Sequence, residues 1–359
     1  MTPSLTTSAP DFVDASTLSH LARCEGPCIT VLLPVSHPGA HEGERHAVLE
    51  SLFHGLTAPD ADGLRGRIEK ELLARHIHGG GPGVALVAGS GFLEIYQASL
   101  QKAQIEQGDA PFILPLLSEA LAPQDFLILS LSEKQMSLIH YLQGEATMLD
   151  MPTDAPESLE AFRHRESRGD RNIENRASAG STPGTMGALR FGTDLEREDS
   201  HAHRERYFAR VDESLSPVLG KRLLLLLGVE EEVAAFRRVA KHCHLFDGQL
   251  GHPAGRDLPL REIAQQAREC ALAYLQKAGR KDLGEIREKS DRRLALEGNE
   301  EVLDAAHAGR VHVLCVPQQA DASQAEQELW NAAAVATLNH GGRLLVVDDS
   351  SVLAASLRY

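Results

Sequence analysis

Three absences narrow what this sequence can be. It has no apolar run near the roughly 18 to 20 residues that cross a bilayer, no Cys-x-x-Cys pair, and no excess of positive charge. Without the first there is no candidate membrane helix, and Met1 to Pro10 lacks the basic and apolar regions of a secretory leader. A cytoplasmic protein is expected. The five cysteines, Cys24, Cys28, Cys243, Cys270 and Cys315, are odd in number and scattered, which is the pattern of reduced thiols and not of a disulfide framework. A net charge of −15 argues against a sequence-independent nucleic-acid coat, which needs clustered Lys and Arg against phosphate.

What is present is an ordinary globular composition, 42% hydrophobic, over 359 residues, more than one core usually serves. Punctuation divides the chain into a disordered tail over 1–17 and α/β units over 18–122, 123–254 and 255–359. In the first, prolines 27 and 34 bracket a short strand, and Leu64, Ile68, Leu72 and Ile77 mark an amphipathic helix over 62–76. Val84 to Ala88 and Phe92 to Tyr96 read as a glycine-turned hairpin. In the second, 126–132 and 135–141 form a tight hairpin, then a polar stretch rich in Arg, Gly and Ser fills 152–202, broken by one helical piece near 159–165. Structureless segments of that length are functional or disordered. A helix over 203–219, the apolar run Leu223 to Leu227 and a helix over 230–242 complete an α/β layer, and Gly248-Gln249 after it reads as a turn.

The third unit opens with a helix carrying Ile263, Ala267, Cys270 and Tyr274, and continues through a charged helical segment from Asp282 to Leu296. Two helix-to-strand units close it: a helix from Asn299 to Gly309 with a strand to Pro317, then a helix to Leu338, closed by Gly341-Gly342, with a strand to Asp349. Asp348-Asp349 is read as a cap on a final helix.

The three-unit pattern, the hairpin from Phe126 to Tyr141, the helix and Leu run from Tyr207 to Leu227, and Asn299-Glu300-Glu301-Val302-Leu303 leading to Gly309-Arg310-Val311 resemble the archaeo-eukaryotic class I release factors and Pelota, in the form carried by bacterial homologues. The resemblance covers roughly Leu18 to Tyr359. It implies an α/β protein of three domains, with an RNase H-like mixed sheet in the middle and a C-terminal α/β sandwich resembling kink-turn-binding ribosomal proteins. It also implies a ribosome or tRNA partner. The family releases peptides with a Gly-Gly-Gln loop in the middle domain, whereas Ser178 to Gly187 supplies Gly180, Gly184 and Gly187 but no glutamine. A translation-associated ribosome- or tRNA-binding factor without standard release activity is therefore expected. The alternatives are a hydrolase of peptidyl-tRNA or another RNA-linked ester, and a protein-interaction scaffold.

The candidate RNA contacts are Arg163, Arg165, Arg168, Arg171, Arg176 and Arg190, six arginines set against the three acids Glu166, Asp170 and Glu174 in an otherwise acidic chain. A solvated, partly self-neutralised loop is the competing reading. His201 and His203, with His242 and His244, have a spacing that could ligate a divalent metal, but a helix start and a helix end supply the same residues. Glycines 79–81 and 83 could cradle phosphate, yet the P-loop Lys-Ser/Thr is missing. No cofactor, metal, membrane or DNA partner is expected.

Overall fold

The first helix begins at Asp14. Its carboxylate accepts from the Thr17 amide at 2.7 Å and from the Ser16 and Thr17 hydroxyls, an N-cap that starts helix α1 (Ala15–Ala22) just after strand β1 (Asp11–Phe12). The computed structural model describes residues 11–24, 26–34, 51, 66, 83–89, 92–100, 102–132, 136–156, 158–165, 194–241, 243–251, 258–289, 294–318, 322–348 and 350–358. Residues 11–17 are thus not tail. Of the helix expected over 62–76 only Gly66 is described, and it is helical.

The first sheet joins β1 to β2 (Cys28–Leu33), β3 (Gly83–Ala88), β4 (Leu93–Ala98) and β5 (Gln104–Gly108), in the order β1-β4-β3-β2-β5. The β3–β4 hairpin pairs as expected, Val84 opposite Gln97. Helix α2 (Leu117–Leu121) follows. The segment before α2 is held by buried side chains: Thr30 Oγ1 accepts from the Phe112 amide at 2.9 Å, and Asn331 Oδ1 accepts from the Ile113 amide at 2.8 Å.

The second sheet contains β6 (Asp125–Ser130), β7 (Ser137–Leu142), β8 (Glu145–Leu149), β9 (Leu223–Gly228) and β10 (His244–Gly251), ordered β10-β9-β6-β7-β8. Only β7 runs against the rest. The mixed sheet that the resemblance implies is present. Strand β8 is not among the sequence expectations, and Gln143 and Gly144 make its turn with φ of 50° and 89°, a left-handed pair matching hairpin twist. Helices α3 (159–165), α4 (Asp194–Leu219) and α5 (Glu230–Val239) pack on one face through Leu159, Phe208, Val211, Leu215 and Phe236. Residues 194–202 therefore belong to a helix, whose early start in a charged, helix-permissive sequence leaves no apolar stripe to read. Gly248-Gln249 is no turn either. It lies in β10, where the register shifts between Leu245 and Gln249.

Helix α6 (Leu260–Lys289) runs unbroken through Gly279, where a Cβ would stand 2.2 Å from the Val346 carbonyl oxygen. Only glycine lets this helix sit so close to the strand beneath it. The third sheet has β11 (Ala295–Glu297), β12 (Val311–Pro317), β13 (Arg343–Val347) and β14 (Ala354–Leu357), ordered β11-β14-β12-β13. Helices α7 (Asn299–His307) and α8 (Gln324–Asn339) cover one face and the second half of α6 the other, an α/β sandwich. Two expectations fail here. Ala295 and Leu296 are strand, because they pair with β14, and the last described element is that strand and not the expected helix. Asp348 instead receives the Arg280 guanidinium.

By contact the chain forms two compact units, Met1–Ala122 with Leu275–Tyr359, and Pro123–Tyr274. In the first, the outer thirds share one core: Leu18, Leu32, Val87 and Leu116 cluster with Val302, Leu314 and Trp330. Among the described residues no helix is long and apolar enough to cross a membrane.

Candidate nucleic-acid interface

Helix α3 presents the described part of the arginine region. Ser158 Oγ accepts from the Ala161 amide at 3.1 Å at its start, Leu159 is buried, and Phe162 packs on the Tyr207 ring of α4 at 5.8 Å between centroids. Positions two apart on a helix point to different sides. Accordingly Arg165 is exposed whereas Arg163 is half-buried. Arg168, Arg171, Arg176 and Arg190, with Gly180, Gly184 and Gly187, lie outside the described residues.

The neighbouring surface of α4 and α5 is charge-balanced. Arg204 donates to Glu231 at 2.7 Å, Arg210 to Glu213 at 2.6 Å with Asp154 3.9 Å away, and Arg238 lies 3.8 Å from Glu205. The hydrogen bond from Arg204 holds the Glu231 carboxyl below its ordinary value. Such surface pairs add little to stability. They offset the charge of Arg204, Arg210 and Arg238, whereas no ion pair is seen for exposed Arg165 among the described residues.

A second polar cluster, absent from the sequence reading, lies where β6 and β9 begin. Asp125 Oδ1 accepts from Arg222 Nε at 2.7 Å and from His140 Nε2 at 2.8 Å. Burial pushes the Asp125 carboxyl up, but these two donors outweigh it and hold the group below its ordinary value. An open depression of about 460 Å³ adjoins it, lined by Asp125, Leu219, Gly220, Lys221, Arg222 and Leu223. Nothing local in the sequence marks the cluster, because the pairing of Arg222 with Asp125 spans 97 positions. The cluster orients charge and holds no nucleophile.

Elsewhere in this unit Asp212, 1% exposed, accepts from the amides of Lys241 at 2.8 Å and Cys243 at 3.1 Å, fastening the turn between α5 and β10. Burial and Asp212 push the Cys243 thiol far up. Burial likewise raises Cys24 and Cys270, and it raises Cys28 to about 11. None of these thiols is activated. His201, His203 and His244 are not brought together, and among the described residues no three His, Cys, Asp or Glu side chains form a group able to hold a metal. His242 lies outside the described residues.

A family model described as "Bacterial archaeo-eukaryotic release factor family 3" matches residues 125–310. No curated protein matches the chain. Similar solved structures include Archaeoglobus fulgidus Pelota, at 12% identity, covering 98% of this chain and 94% of that one with a TM-score of 0.36. Another is S. cerevisiae Dom34, a translation termination-like factor, at 11% identity, 98% and 94% coverage and a TM-score of 0.34. The archaeal translation termination factor aRF1 is similar at 14% identity, with 96% and 97% coverage and a TM-score of 0.24.

Proposed function

The chain belongs to the bacterial archaeo-eukaryotic release factor family 3, and on that premise we propose that it is a translation-associated factor that binds the ribosome or tRNA in the cytoplasm. The observation that carries this reading is the family match, which spans all of the second sheet and continues to residue 310. We read one domain per sheet, with boundaries near 122 and 254. Arg165, followed by Arg168, Arg171, Arg176 and Arg190, supplies the phosphate contacts, with half-buried Arg163 less accessible to them.

Peptide release by the standard route is absent from this reading. Ester hydrolysis on a flexible glycine loop needs an amide side chain to place the water. Between Gln143 and Gln249 the sequence holds no glutamine, and Gln249 belongs to β10. The raised thiols offer no substitute nucleophile. Purified protein mixed with ribosomes carrying a labelled peptidyl-tRNA should pellet with the particles and leave the label on the tRNA. Label release by the wild-type protein well above the spontaneous rate refutes the non-hydrolytic part, and failure to pellet refutes the binding part.

A further inference from the structure

The charge of this chain is unevenly distributed. It carries 51 Asp and Glu against 36 Lys and Arg, yet residues 305–318, 329–347 and 350–359 contain no acid at all. The fold brings these segments to one end of the third sheet. Strands β12 and β13 run parallel and both start there, Val313 opposite Arg343, and antiparallel β14 ends there, Leu357 opposite Val311. His307 ends α7 and Arg310 leads into β12, His340 follows α8 and Arg343 opens β13, and β14 is followed by Arg358. With His312, these six side chains are all exposed.

Direct contacts hold the rim together. The Arg358 amide donates to the Arg310 carbonyl at 2.9 Å, and its guanidinium Nε donates to the Val311 carbonyl at 3.0 Å and Nη2 to the His340 carbonyl. The His340 ring lies against Gly309, where a Cβ would come within 3.1 Å of Nδ1. Arg358 is therefore a strut. Arg310 and Arg343 have neither an ion pair nor a side-chain hydrogen bond among the described residues, in contrast to the paired arginines of α4 and α5.

Helix termini offer a plain explanation that is too small. The ends of α7 and α8 each present about half a negative charge and Asp304 in the last turn of α7 adds one, which three guanidiniums still exceed by about one charge. A surplus positive rim on an acidic protein is a site for an anion. All three fixed cations are arginines, whose planar forks match phosphate, and exposed histidine rings beside glycine turns leave room for a backbone and bases to approach. We propose that this rim binds the phosphate backbone of RNA, with Arg310 and Arg343 as the contacting residues. The choice of RNA over an acidic protein rests on the translation reading above.

The test uses the full chain with a fluorescent RNA hairpin as probe, titrated from about 50 to 500 mM salt. Two duplex phosphate contacts displace counterions with a slope near −0.9 each, so Arg310→Ala/Arg343→Ala should shallow the log–log slope by about 1.8. At about 0.15 M salt that corresponds to a roughly 30-fold weaker affinity. Arg310→Lys/Arg343→Lys should keep the slope, and the unchanged unfolding midpoint of both variants excludes misfolding. An unaltered slope and affinity overturns the proposal, as does a wild type that leaves the hairpin unbound at the lowest salt. Binding of poly-glutamate, lost in the Ala variant, with no RNA binding assigns the rim to a protein partner and also overturns it. Ribosome pelleting of the same variant reports separately: pelleting that persists while the hairpin slope is unaltered sinks the rim and spares the broader reading.

Discussion

Asn331 allows the packing argument to be tested in one residue. It sits on α8, 8% exposed, with Oδ1 accepting from the Ile113 amide at 2.8 Å and Nδ2 donating to the Pro111 carbonyl at 3.0 Å. These bonds tie residues more than two hundred positions apart. Asn331→Ala leaves a buried N–H and a buried C=O without partners, each costing about 1–3 kcal/mol. Water entering the vacated space offsets part of that, so about 3 kcal/mol is expected. For a unit of this size the midpoint should fall by about 6–12 °C. The assay is built in, because Trp330 is the only tryptophan, is 2% exposed and adjoins the mutated site. Its fluorescence follows the unit that contains it without assuming that the whole chain unfolds in one step. Asn331→Leu separates the causes: it refills the volume but restores neither hydrogen bond, so it should be about as destabilised as the alanine variant. Recovery to within about 0.5 kcal/mol of wild type in Asn331→Leu would show that volume, not hydrogen bonding, sets the cost.

Three further outcomes follow from the same reasoning. The Asp125 carboxyl is depressed in the fold, so its contribution is present above the ordinary carboxylate pKa and is lost as pH falls through the folded value; Asp125→Asn should remove an acid-side loss of under about 1 kcal/mol, read by urea unfolding between pH 3 and 6. All five cysteines should react with a thiol reagent in denaturant without reductant, whereas in the native protein at pH 8 Cys28 and Cys243 should lag, since burial raises both; rapid native labelling of either contradicts the packing. Arg165→Ala should shallow the salt dependence of ribosome binding by a little under one unit, while Arg204→Ala, whose guanidinium already serves Glu231, should not.

What was legible in the sequence is what periodicity encodes. The β6–β7 hairpin, the run of leucines in β9 and α5, with acids at its start and arginines at its end, each announce themselves locally. Strand β14 does not: Ala-Ala-Ser-Leu is covered on both sides by helices, so small residues pack there without any alternation to read. Strand β8 is an edge with Met148 and Leu149 exposed, and it lacks a buried face to mark it. The shared core of the outer thirds depends on Thr30 and Asn331, polar residues whose partners lie far away in sequence. The same holds for the arginines. Their number is visible in the sequence, but only the structure distinguishes half-buried Arg163 and paired Arg204 from exposed Arg165, Arg310 and Arg343.

Binding to ribosomes is the central claim, and sedimentation tests it most directly. The purified full chain is layered with ribosomes over a sucrose cushion at about 50 mM and about 500 mM salt, and pellet and supernatant are compared. A local cationic contact on a protein of net charge −15 predicts near-stoichiometric recovery in the pellet at low salt and loss at high salt. Protein that stays in the supernatant at low salt, where every favourable electrostatic contact is at its strongest, contradicts the account.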